Sequence, residues 1–186
     1  MMFKKYLQKD ILIYVIKFLI VFAIFYYGTV AIIGLSSPAG HYSLFVDKYL
    51  NYITGFRKGL LLGAKFLLKL AGYETYLANE FVLRLQNGKG VRMVYSCLGY
   101  GIMSFWAAFV IANKGDLIKK AAWILMGLFL ICLINVLRIC LLLLSNNKVL
   151  AIPFHINHHT LFNVSAYLLI FILIWLYDKS FTKKHR

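Results

Sequence analysis

Along this chain the apolar positions fall into long runs with basic punctuation between them. Residues 11–35 are almost uninterruptedly hydrophobic and follow a basic start containing Lys4, Lys5 and Lys9. Three more such runs occupy about 96–112, 121–144 and 159–177. Runs of roughly 17–25 apolar residues match the hydrocarbon thickness of a bilayer, so each predicts a membrane span. The first run exceeds the roughly 7–15 residues of a secretory signal core and lacks an Ala-x-Ala site, which predicts an uncleaved helix.

Between the first two spans the period changes. After the breaker Ser36-Ser-Pro-Ala-Gly40, residues 42–72 alternate apolar and basic faces at helical spacing, with Lys58, Lys65 and Lys69 on one face. Gly55, Gly59 and Gly63 recur every fourth position on another, a surface suited to close helix contact. This predicts an amphipathic helix in the interface plane, with an ordinary short membrane helix over 60–70 as the alternative. In residues 81–96 the period falls to two: Phe81, Leu83 and Leu85 alternate with Val82, Arg84 and Gln86, and Asn87-Gly88 is a tight-turn signal. A β-hairpin is expected there, running directly into Cys97.

The basic residues orient this pattern. With four spans, the N-terminus, the loop 113–120 and the tail 178–186 share one side, and all three are lysine-rich, which makes that side cytoplasmic. Residues 36–94 and the loop 145–158 then lie outside. The expected architecture is one integral membrane domain over 1–186. It is an all-α polytopic protein of the cytoplasmic (inner) membrane with about four transmembrane helices, an interfacial amphipathic helix and a small extracytoplasmic β-hairpin.

Composition agrees with that class: 62% of the residues are hydrophobic and only 15% charged, where a soluble domain is nearer half and a quarter. The net charge of +15 flanks apolar runs instead of forming a basic domain, so it points to anionic lipid and topology and away from nucleic acid. Cys97, Cys132 and Cys140 are odd in number and lack metal-ligand spacing, so no metal or cofactor is implied. Cys132 and Cys140 read as small packing residues in a leucine run.

Arg138 lies in that same run, where a guanidinium cannot lose its charge and must find a partner or a polar cavity. Its depth is six residues from the outer end of the third span, roughly 9 Å at ~1.5 Å per residue. Cys97 opens the second span from outside, and His158 and His159 open the fourth. A thiol, a guanidinium and an imidazole are thus expected in one shallow outer layer. A thiolate is a nucleophile, imidazole moves its proton, and a fixed cation stabilises an oxyanion. No carboxylate lies in any span to orient the imidazole. Asn135, one turn before Arg138, either orients the guanidinium or packs on a neighbouring helix. Asn163, one turn after His159, either fixes an imidazole tautomer or satisfies a helix contact.

Cys97-Leu-Gly99, Asn135-Val-Leu-Arg138 and His159-Thr-Leu-Phe-Asn163, in this order, resemble the exosortase/archaeosortase family over about residues 90–177. The resemblance implies a membrane cysteine protease or transpeptidase with Cys97 as nucleophile, Arg138 as oxyanion stabiliser and His159 as general base and acid. His159 takes precedence over His158 because Asn163 stands four residues on, where the family has a Gly or similar residue. The implied partners are membrane-anchored proteins bearing a C-terminal sorting signal: a short motif, a transmembrane helix and a basic tail. Leu98 stands where relatives commonly carry a small residue. A second expectation is non-enzymatic, a membrane subunit of an envelope export or polysaccharide assembly system, docking through the Gly55/Gly59/Gly63 face. A third is a transporter or lipid-binding protein holding an anionic group on Arg138.

Overall fold

Beyond Asp10, helix α1 (Met2–Ser36) is apolar around its circumference apart from Lys17, and much of its surface, including Leu19, Ile20 and Ile24, is exposed. A helix with no polar face and no protein cover over most of its length is suited to lipid. These features come from a computed structural model that describes the backbone of residues 2–37, 41–149 and 158–182, with side chains over 9–37, 41–149 and 163–180. Three quarters of the chain is helical. Among the described residues, Lys9–Ser36 and Leu117–Asn146 are long and apolar enough to cross a membrane.

The segment expected to be one amphipathic helix is two. Helix α2 (Leu44–Tyr49) ends at Leu50, and α3 (Tyr52–Leu70) restarts because the Asn51 side chain caps it, accepting from the Thr54 N–H at 3.2 Å. Ile53, Leu60, Leu61, Ala64 and Leu68 follow the helical period and are all buried. This face packs on the sheet and on α5, so α3 is a core helix with its lysines turned elsewhere. Of the three glycines, only Gly63 meets a neighbour: a methyl there would lie 3.2 Å from Val136 Cγ2, whereas Gly55 and Gly59 face open space.

Three strands follow: β1 (Thr75–Asn79), β2 (Val82–Leu85) and β3 (Gly90–Arg92), antiparallel in the order β1-β2-β3. The expectation of a two-stranded hairpin over 81–96 therefore needs correcting. A preceding strand pairs Thr75 with Leu85 and Leu77 with Leu83, and the ladder from β2 ends at Arg92, opposite Val82. Leu83, at the centre of the sheet, is fully buried against α3 and α5. The Asn147 side chain clasps the β2–β3 turn, accepting from Lys89 N–H at 2.6 Å and donating to Lys89 C=O at 3.2 Å. That pairing imitates a strand bond and ties the turn to the end of α5.

Val94 leads into a 3₁₀ turn (Tyr95–Cys97), and α4 (Tyr100–Ala112) begins only after Gly99. Gly99 has φ +75°, a left-handed conformation that a side chain would strain. Cys97 therefore precedes the helix expected to contain it. Gly99→Ala is expected to destabilise the protein by about 1–2 kcal/mol, read as a lower Tm in detergent. Helix α4 has 13 residues and lies between α1 and α5 (Leu117–Asn146). The Asp116 side chain caps α5 by accepting from Ile118 N–H.

Helix α6 (His158–Thr182) packs on α5, and its Ile170, Leu173 and Tyr177 join Trp106, Val110 and Ile131 in a second apolar cluster. The first cluster joins α3, the sheet, the 3₁₀ turn and the later part of α5, and it contains both Cys97 and Leu98.

Candidate active site

Two residues on one face of α5 reach the Cys97 turn. Asn135 and Arg138 are three apart, so their side chains leave the helix on the same side, one turn from each other. Asn135 is fully buried and donates from Nδ2 to the Leu98 carbonyl at 3.0 Å. Arg138, 9% exposed, donates from Nη2 to Cys97 Sγ at 3.1 Å. Cys97 is itself only 9% exposed. The two α5 side chains thus grip consecutive residues, one by its sulfur and the next by its backbone.

This geometry gives Asn135 a role outside both readings, neither orienting the guanidinium nor meeting a neighbouring helix. Its amide goes to the backbone of the cysteine turn, where it fixes the position of the thiol relative to α5. Asn135→Leu leaves the buried Leu98 carbonyl without that donor, at a cost of about 1–3 kcal/mol. The expected result is a lower Tm together with altered Cys97 alkylation kinetics.

The local sequence explains why the turn holds its shape. Cys97 N–H bonds Val94 C=O at 3.0 Å and Leu98 N–H bonds Tyr95 C=O at 3.1 Å, closing the 3₁₀ turn. Leu98 is fully buried, which anchors the residue after the thiol in the core. The side chains of His158 and His159 lie outside the described residues; their backbone forms the first turn of α6. Asn163 is exposed on α6. The described contacts therefore unite Cys97, Arg138 and Asn135.

The other cysteines have packing roles. Cys140 is buried and its thiol donates to the Ala64 carbonyl at 3.6 Å, joining α5 to α3. Cys132 is half-buried, and all three cysteines are free thiols. No group of three or more potential metal ligands occurs among the described residues.

Sequence reasoning missed Arg57, which is 3% exposed and stacked between two aromatic rings. The available signal was its spacing from Ile53, Leu60, Leu61, Ala64 and Leu68, which puts it on the apolar face of α3. Comparison with family models, with curated proteins and with solved structures finds no match.

Proposed function

We propose that this chain is an exosortase-like membrane cysteine protease or transpeptidase. It cuts anchored proteins carrying a C-terminal sorting signal, at the outer face of the cytoplasmic membrane. The observation that carries this reading is the guanidinium donor of Arg138 on Cys97 Sγ at 3.1 Å, in a nearly buried layer. In this reading α1, α4, α5 and α6 are the spans, both termini are cytoplasmic, and the sheet and Cys97 are extracytoplasmic.

The sulfur of Cys97 is the nucleophile in this reading, with the Arg138 guanidinium beside it. Cys97 attacks the scissile carbonyl, forming an S–C bond and moving negative charge from sulfur to oxygen. Arg138 carries several N–H donors in one plane, so it follows that charge from the sulfur to the oxyanion. As the C–N bond breaks, His159 gives the leaving amine the proton it took from the thiol. The resulting thioester is resolved by an acceptor amine, or by water in the hydrolytic case.

The test is processing of a co-expressed anchored substrate by the wild-type, Cys97→Ala, Arg138→Lys and His159→Ala chains. Cys97→Ala and His159→Ala are expected to leave it uncut, and full processing by Cys97→Ala refutes the proposal. The non-enzymatic reading draws on one observation, the open surface at Gly55 and Gly59. It predicts that Gly59→Leu abolishes function while Cys97→Ser is silent.

A further inference from the structure

Arg57 carries a permanent charge in a place that water scarcely reaches. It lies on the inward face of α3 between Ile53 and Leu60, and only 3% of it is exposed. Its guanidinium carbon sits 4.4 Å from the ring centroid of Phe81 and 4.1 Å from that of Tyr95. Those rings favour a cation through their faces, which accounts for part of the stabilisation. They do not use the donors in the guanidinium plane.

Two of those donors, Nε and Nη2, are buried and have no hydrogen-bond partner among the described residues. They occupy the same edge of the guanidinium and form the side-on fork that the two oxygens of a carboxylate match. Among the described residues no Asp or Glu forms an ion pair with Arg57. Asp10 pairs with Lys114, Asp47 holds Tyr42 and Asn51, Asp116 caps α5, Glu74 and Glu80 are exposed, and Asp178 is exposed near the end of α6. A buried cation lacking an anion is costly. An aromatic slot with an in-plane fork suits a planar anion better than a tetrahedral one.

The slot adjoins the candidate nucleophile. Tyr95, which forms one wall, opens the 3₁₀ turn that ends at Cys97. Phe81, the other wall, accepts at its carbonyl from Met93 N–H at 2.8 Å, so both walls belong to the chain leading into that turn.

We propose that Arg57 is a carboxylate-binding site that receives an acidic side chain of the protein substrate, a few residues from the bond Cys97 attacks. This rests on the peptidase reading. It adds a specificity element distinct from Arg138, with Arg57 reading a fixed charge in the recognition segment while Arg138 attends the reacting atoms.

The experiment uses the full chain in detergent and peptides carrying a chloroacetyl group. Glu is placed one, two, three or four residues from that group, and matched peptides carry Gln. Labelling is read at the Cys97 peptide by mass spectrometry. At one spacing the Glu peptide is expected to label wild-type Cys97 at least about tenfold faster than its Gln counterpart, as a charge-assisted bidentate bond implies.

Arg57→Gln, and Arg57→Lys (which keeps the charge but not the fork), are expected to reduce that preference to about twofold or less. Iodoacetamide labelling of Cys97 in each variant reports separately whether the turn is intact. A wild-type chain with no Glu preference at any spacing overturns the proposal whether or not the variants fold, as does a preference that survives Arg57→Gln. The latter result assigns the preference to Arg138. Loss of the peptidase reading is seen separately, as processing that continues without Cys97.

Discussion

Arg138→Lys is expected to lower substrate processing roughly 10²- to 10³-fold while leaving the protein folded. That is the usual loss when one oxyanion donor is removed. Lysine keeps the charge, but its ammonium is a point donor on a flexible stem and cannot hold the sulfur and a neighbouring oxygen in one plane. Arg138→Met should reduce processing further, because it removes the charge as well. It should also lower the Tm, since the buried Cys97 Sγ loses its donor. Processing rates of the two variants, each beside its Tm, separate the chemical role from a structural one. An Arg138→Met chain that processes normally removes Arg138 from the mechanism.

Gly127→Leu is expected to have the largest effect on folding. Gly127 is buried in α5, and the Trp106 indole lies directly against it, so even a methyl group would sit 2.5 Å from Trp106 Cδ1 and closer still to Nε1. Trp106 is fully buried and donates from Nε1 to the Trp123 carbonyl at 3.0 Å, so the ring cannot move aside without losing that bond. Overpacking of this kind costs about 1–3 kcal/mol for an added methyl and more for a leucine. The displaced indole adds roughly 1 kcal/mol. A Tm series of Gly127→Ala, Gly127→Leu and the Gly127→Ala/Trp106→Phe double variant measures this. The double variant should be less destabilised than the sum of its parts, because the smaller ring makes room.

Much of the candidate site was legible because helix geometry is regular. The spacing of Asn135 and Arg138 within a long apolar run fixes their common face, and that face meets the Cys97 turn. The role of Asn135 was not legible, since its partner is a backbone carbonyl 37 positions away. Arg57 was hidden by its neighbour Lys58: in a stripe rich in lysine, a basic residue on the apolar face passes for one more solvated charge.

The break between α2 and α3 had a local signal, Asn51 with Thr54, that the continuous amphipathic pattern obscured. Strand β1 had almost none, because Thr75-Tyr-Leu-Ala-Asn79 is too short and mixed to show a period of its own. It becomes a strand because β2 offers it a partner edge. The Asn147 clasp on Lys89 spans 58 residues and is likewise invisible to any local pattern.

The central claim is that Cys97 forms a covalent bond with its substrate. It is tested most directly by mass spectrometry of the Cys97 peptide after incubation with an anchored substrate and no acceptor amine. A substrate fragment is expected on Cys97 as a thioester, released by neutral hydroxylamine and missing from Cys97→Ala. Full processing by Cys97→Ala, with no adduct on the wild-type chain, would contradict it.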